Sequence, residues 1–387
     1  MMRALAVGAA FAALVIAGAG LRTHLALSCA RGEVAFGPCP AAAVSGSAEE
    51  LAEIRSRIAA GPGDSWAYAA LARPGVQGGE ALLPAATRLA PNAPNVVMAR
   101  ANAALARADW AGAVPPLVQL ATHYSAQTGD PAALLARIAA SGHASLLRPF
   151  VGRHSEWFPV LVDEAVRLQL PLEGLVPLVA HANATGAMPT QRLRAFVRTL
   201  KRRGRWGDAF GLWLAQHDGR VPVLYNANFD LAFEPDGFDW EGPADAPPKT
   251  GAVARTRPFP GRRQVLEVDF TGQAYVTPVV RQYLMLAPGR YRLTGQFMAT
   301  RLRSEAGLAW TVRCVTGTQV ADAPAFRSTA FTETGGSWVT FEFSFDIPPS
   351  CGPVASLQLD PVAPFEATAG IRGTAYFDAF SLKKSPS

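Results

Sequence analysis

The chain lacks most of the short motifs that announce an enzyme or a nucleotide-binding protein. There is no Gly-x-Ser-x-Gly, no Gly-x-x-x-x-Gly-Lys and no Gly-x-Gly-x-x-Gly, so a nucleophile elbow, a phosphate-cradling loop and a dinucleotide turn have no support. Histidine is scarce: His24, His123, His143, His154, His181 and His217 are the only six, and none follows residue 217. None of them shows the His-x-x-x-His spacing of a metal pair. Cysteine is nearly as rare, with four and no Cys-x-x-Cys, which argues against a zinc knuckle or a dithiol redox centre. Charge is low at 17%, against 49% hydrophobic residues, a balance that excludes a disordered chain.

What is present is enough for several parts. A length of 387 residues exceeds one ordinary domain. The net charge of +6 and pI of about 9.4 tolerate anionic partners without demanding one. Ala4 to Leu21 is an uninterrupted apolar run behind Arg3 and before Arg22. It predicts an amino-terminal transmembrane anchor in residues 1–24 that reaches the inner membrane through residues 4–21. The alternatives are a signal helix cleaved after Ala17-Gly-Ala19, giving a secreted protein, or a lipoprotein signal ending at Cys29. In each case the bulk of the chain is exported, on the periplasmic side, which leaves nucleic acid out as a partner. In that oxidising compartment the cysteines fall into two local disulfides, Cys29 with Cys39 and Cys314 with Cys351.

Residues 25–46, rich in Gly, Pro, Ala and Ser, read as a tether. From 47 to 220 short helical segments follow one another. Ser47-Ala-Glu-Glu50 is a capping box, Asp130-Pro131 a helix start with Leu134, Leu135 and Ile138 behind it, and Leu193, Phe196, Val197 and Leu200 a single apolar stripe. Helices this short bury their faces only by stacking on neighbours, the logic of an α-helical solenoid. Pro94 to Val114 is similar to a tetratricopeptide unit, which implies a protein-interaction domain; Pro115 and Pro116 predict that its second helix starts late or kinks. The segment Arg192 to Arg205 carries seven basic residues and no acid. It reads either as the polar face of a solenoid helix or as a contact for anionic glycan or phospholipid.

Beyond residue 221 the hydrophobic period changes from 3.6 to 2. Val339, Phe341, Phe343, Phe345 and Ile347 alternate with polar residues, as do Leu266, Val268 and Phe270 with Glu267 and Asp269. With no helical crossovers between them, these strands predict an antiparallel β-sandwich over 221–387. Four segments carry a more specific likeness: Asn226-Ala-Asn-Phe-Asp to Gly-Phe-Asp-Trp240, Pro288-Gly-Arg-Tyr-Arg-Leu293, Gly336-Ser-Trp to Ile-Pro348, and Ala375-Tyr-Phe-Asp-Ala-Phe-Ser-Leu382. Together they resemble the galactose-binding-like jelly rolls that include many carbohydrate-binding modules, in which an entry strand, here at 226, meets an exit strand, here at 375. The arrangement behind a helical domain is similar to bacterial envelope proteins that accompany exopolysaccharide synthesis and export.

That resemblance implies two kinds of site. A structural calcium would be held where first and last strands meet, at Asp230 and Asp378, although no cofactor is required otherwise. Polysaccharide recognition would combine the aromatic platforms Phe238, Trp240 and Tyr275 with hydrogen-bonding Arg281, Gln282 and Arg313. Trp310 shares a strand face with Leu308 and Val312 and reads as core. Glu267 and Asp269 are about 7 Å apart along one strand, within glycosidase range, but their alternation with a buried face makes them a solvated surface. The expected function is a non-catalytic envelope accessory protein with a carbohydrate-binding sandwich. The alternatives are a purely structural protein scaffold and, behind it, a polysaccharide hydrolase or lyase.

Overall fold

A computed structural model describes residues 47–73, 76–124, 131–217, 219–242 and 251–385. The expected anchor, the tether and the Cys29–Cys39 pair lie outside the described residues, as does Asp130. No helix among the described residues is long and apolar enough to cross a membrane. Two compact units divide between Pro189 and Thr190.

The first unit is helical: α1 (Ala48–Ala60), α2 (Ser65–Leu71), α3 (Leu83–Leu89), α4 (Pro94–Ala106), α5 (Trp110–His123), α6 (Pro131–Ile138), α7 (Trp157–Arg167) and α8 (Leu175–Thr185). Local chemistry sets their starts. The Ser47 hydroxyl accepts the Glu50 N–H at 3.2 Å, Asp64 accepts from Ala67 and Asp109 from Gly112, each satisfying an orphan donor of a first turn. From α1 through α7 each helix packs on the next, and Ala69 of α2, Ala86 of α3 and Ala99 of α4 share one buried small-residue cluster with Val96. The expected late start at Pro115 is corrected: α5 begins at Trp110 under its Asp109 cap and contains both prolines. The carbonyls of Ala111 and Gly112 therefore receive no helical N–H.

The second unit begins with two helices, α9 (Thr190–Arg202) and α10 (Trp206–Leu214), and continues as the sandwich. The boundary expected at 220/221 thus falls earlier. Periodicity identified the stripe of Leu193, Phe196, Val197 and Leu200, all buried, but a helical period does not say which core receives it. One sheet has the order β1 (Ala252–Phe259), β2 (Arg262–Thr271), β10 (Arg372–Lys384), β4 (Gly289–Arg303), β8 (Val339–Ile347). The other has β3 (Val280–Met285), β9 (Val354–Pro361), β5 (Leu308–Thr316) and β6 (Gln319–Val320), with β7 (Phe326–Arg327) also beside β5. Every pairing is antiparallel.

Between the sheets lies an aromatic core of Phe229, Trp240, Trp310, Phe297, Phe377 and Phe380. Trp240 and Trp310 have ring centroids 5.7 Å apart, and Trp310 meets Phe377 edge-on at 5.3 Å. The opening stretch 226–240, expected as a strand, is a tight loop instead, because Asn226 and Phe229 adopt left-handed φ of 49° and 55°. Asn226 clamps it by exchanging two hydrogen bonds with the Leu231 backbone, at 3.0 and 3.1 Å. Across the sandwich, Ala227 O accepts from Phe380 N, just past the bulge at Ala379.

The Cys314–Cys351 disulfide joins β5 to the turn before β9, with Cα atoms 4.9 Å apart and a sequence separation of 37. Closing a loop of that size removes denatured-state entropy worth about 4 kcal/mol in the chain-entropy model. Replacing both cysteines by Ala is expected to lower unfolding free energy by about 3–4 kcal/mol in urea titrations without changing the far-UV spectrum.

Candidate functional site

The aromatic residues expected to stack on sugar are mostly inside. Trp240 is fully buried, with its Nε1–H donated to Asn226 O at 3.2 Å, and Phe238 is 3% exposed. Gln282 is also fully buried and donates to Tyr225 O at 2.9 Å. Tyr275 packs edge-on against Phe270 at 5.4 Å, and burial, with Glu366 and Asp360 nearby, pushes its phenol pKa up. Arg313 is held by Asp360 at 3.3 Å and by the carbonyls of Ala321 and Asp322. These residues build the sandwich and its loops, so Trp240, Phe238 and Gln282 are corrected from ligand contacts to core. Large aromatics flanked by turn residues are ambiguous in sequence, and here the loop folds inward.

The calcium site is likewise not formed by the residues expected for it. Asp378 receives the Arg262 guanidinium on Oδ2 and the Ala379 N–H on Oδ1 at 2.6 Å, so a cation of the chain itself neutralises it. Asp230 lies 3.9 Å from Arg263. No group of three or more His, Cys, Asp or Glu residues is gathered for a metal among the described residues. Two carboxylates already paired with arginine do not fit an ion that wants six to eight oxygens.

Arg281 leads to the most heavily engaged charge cluster of the second unit. It bridges Glu241 through reciprocal backbone hydrogen bonds of 2.7 and 2.9 Å and by an ion pair of 2.9 Å. The other Glu241 oxygen accepts from Lys201 Nζ at 2.6 Å. Lys201, 6% exposed, also donates to Gly237 O and lies 5.5 and 5.2 Å from the Phe238 and Tyr283 ring centres. Arg198 and Arg194, one and two turns away on the same helix, pair with Asp236 at 2.7 Å and Glu234 at 2.8 Å. Three of the seven basic residues of the segment, Arg194, Arg198 and Lys201, therefore hold the 234–241 loop. Burial lowers the Lys201 pKa, an effect that Glu241 opposes. Inside the same loop, burial pushes the Asp239 carboxyl up to about 6, more than the N–H groups of Trp240 and Glu234 pull it down.

The outer face of the β1-β2-β10-β4-β8 sheet carries a different arrangement. Phe259, Trp338 and Tyr376, all half-buried, form a cluster there: Phe259 meets Trp338 edge-on at 5.6 Å and Tyr376 at 5.3 Å. The Arg262 guanidinium stacks on Trp338, 3.9 Å from the ring centre, and bonds both Asp378 and the Gln296 side-chain oxygen. One register row crosses the sheet as Arg255, Glu267, Tyr376 and Met298. Glu267, expected on a solvated surface, is buried because Arg255 and Arg257 cover it, bonding its two oxygens at 2.8 Å each. Asp269 accepts from Thr374 at 3.1 Å. Aromatic rings, guanidinium groups and an amide thus share one sheet face.

Sequence reasoning missed this cluster. A signal existed for Tyr376, which falls on the polar phase of β10 between buried Ala375 and Phe377, and for Trp338, which follows the Gly335-Gly336 turn. Nothing in the sequence joined them to Phe259 and Arg262, which reach the same place through strand order alone.

No protein-family model and no curated protein matches the chain. Among solved structures it is similar to a CBM4 module, with 16% identity, covering 42% of this chain and 99% of that one at a TM-score of 0.32. It is also similar to the CBM22-1 xylan-binding domain of Paenibacillus barcinonensis Xyn10C (14%, 42% and 93%, 0.30) and to Caldicellulosiruptor saccharolyticus CBM27-1 in complex with mannohexaose (11%, 38% and 93%, 0.23).

Two outcomes follow from the charge cluster. Lys201→Met leaves Glu241 half-unpaired and is expected to cost about 2–4 kcal/mol in denaturant titration, with Glu241→Gln in the same chain restoring part of the loss. Because the folded Asp239 pKa exceeds the unfolded one, its stabilising contribution is complete below pH 3.8 and is lost as pH rises through about 6. Stability measured against pH should fall by up to about 3 kcal/mol from this group over that window, and Asp239→Asn should flatten that component. A wild-type and variant pair with equal slopes between about pH 4 and 6.5 would contradict the assignment.

Proposed function

We propose that the protein is a non-catalytic accessory protein of the bacterial envelope, exported and held at the periplasmic side of the inner membrane, that binds polysaccharide through the outer face of its five-stranded sheet. The observation that carries this reading is the Phe259, Trp338 and Tyr376 cluster with Arg262 stacked on Trp338 and Gln296 beside it. Sugar rings present C–H faces to aromatic rings and hydroxyl groups to planar polar side chains, and both are offered on one surface here. The four sequence segments that resemble carbohydrate-binding jelly rolls favour the same ligand class.

Binding without catalysis is favoured by the state of the carboxylates. Glycoside cleavage requires one acid with a free proton and a second facing it across the bond. On this face Glu267 is shared by two arginines, Asp378 is held by Arg262 and Asp269 by Thr374. The helical unit, with its tetratricopeptide-like stacking, supplies a surface for a protein partner in synthesis or export of the polymer.

Affinity electrophoresis through a panel of bacterial and plant polysaccharides tests the reading. Retention by at least one polymer is expected, with Trp338→Ala and Tyr376→Ala each weakening it about tenfold, or ~1.4 kcal/mol, at unchanged melting temperature. Retention of both variants equal to wild type would move the site elsewhere. No retention on any polymer would favour the protein-scaffold alternative.

A further inference from the structure

The sheet face also carries two guanidinium groups that its aromatic cluster does not use. Arg255 donates Nε and Nη2 to Glu267 Oε1 at 3.0 and 2.8 Å, and Arg257 donates Nη1 to Oε2 at 2.8 Å. The carboxylate side chain between them is 3% exposed, while the arginine side chains are 49% and 57% exposed. A buried anion therefore fixes both long side chains from beneath and leaves their outer N–H groups facing solvent. Arg255 Nη1 and Arg257 Nη2 make no other bond among the described residues. The usual entropy cost of ordering an arginine on binding is thus already met within the fold.

Their position matters as much as their rigidity. Arg255, Glu267 and Tyr376 lie in one register row across β1, β2 and β10. Neighbouring strands are about 4.8 Å apart, so Arg255 stands roughly 10 Å from Tyr376, a span that one or two sugar rings bridge. Phe259, two residues beyond Arg257 on β1, closes the same corner against Tyr376. The remaining acid of β2, Asp269, is farther from Phe259 along the strand and engaged by Thr374.

We infer that this face is built for an acidic polysaccharide: Arg255 and Arg257 take the carboxylate of a uronic-acid residue while its ring or a neighbour's lies on the Tyr376 and Phe259 edge. This rests on the reading that the face binds glycan, and it adds the charge of the ligand. A planar carboxylate matches the outward fork of a guanidinium, and a charge-assisted pair of this kind is about twice as strong as a neutral hydrogen bond. Glu267 gives each arginine its orientation, so it acts as a positioning residue.

The test uses the full-length chain and three uronate polymers of different linkage, polygalacturonate, alginate and hyaluronate, each as the ionised uronate and as the methyl ester, with xylan and mannan as neutral polymers. Esterification keeps the sugar backbone and removes the charge. At least one uronate is expected to bind at least about tenfold more tightly than its ester, and the difference should shrink as salt rises. Arg255→Gln and Arg257→Gln should each lower affinity for the uronate about tenfold and leave ester binding unchanged, and Arg255→Lys, which keeps the charge but loses the fork, should lower it partly. Equal binding of uronate and ester, or arginine variants that bind the uronate like wild type, would overturn the inference. If xylan or mannan binds in a Trp338-dependent way while no uronate does, the inference fails and the glycan reading stands. If no polymer binds, both fail.

Discussion

A single buried ammonium group ties α9 to the 234–241 loop and, through Glu241, to β3. Lys201 extends from α9 into a space bounded by Phe238 and Tyr283, where it meets Glu241 and the Gly237 carbonyl. Removing such a charge from water is costly, and only a carboxylate and carbonyls at hydrogen-bond distance offset that cost. Glu241 in turn pairs with Arg281 on β3. One helix, one loop and one strand are thereby fixed to a common point. Lysine is otherwise rare here, with Lys249, Lys383 and Lys384 the only others in an arginine-rich chain.

From that point the surrounding packing follows. Gly237 carries no side chain because a Cβ there would approach Trp213 Nε1 to 2.2 Å, and Trp213 itself packs on Phe238 and Tyr225. Trp206 at the start of α10 touches Tyr283 at 4.7 Å and donates to Gly317 O at 2.6 Å. The loop so fastened delivers Phe229 and Trp240 into the sandwich, where they meet Trp310 and Phe380. The stretch 226–240 thus works as a plug, with Phe229 and Trp240 serving the core and Glu234 and Asp236 holding α9.

With one set of aromatics consumed in this way, a second set, Phe259, Trp338 and Tyr376, stays half-buried on the outer face of the five-stranded sheet. Its rings are fewer and half-buried, and Arg255, Arg257 and Arg262 are each held by an acid from the same face. The arrangement separates two uses of the same residue types. Aromatics near Lys201 stabilise by burial, while Trp338 and Tyr376 keep part of their area in contact with solvent, where a ligand can displace water.

The order of helices then strands, the apolar stripe of α9, the alternating face of β8 and β2, and the Cys314–Cys351 pair were legible in the sequence, because each rests on a local period or on the pairing of scarce cysteines within one segment. The chemistry of the surface was only partly legible. A period of 2 puts Tyr376 on the outer face but cannot say that Phe259 and Trp338, distant along the chain, reach the same corner. That depends on β10 inserting between β2 and β4. Composition marked Arg192 to Arg205 as basic, but only the tertiary fold shows that Arg194, Arg198 and Lys201 meet Glu234, Asp236 and Glu241. Charge pairing across 38 to 40 positions has no period to betray it. Local pattern therefore settled the order of helices and then strands, though not the loop at 226–240, and long-range packing alone set which aromatics and arginines stay at the surface.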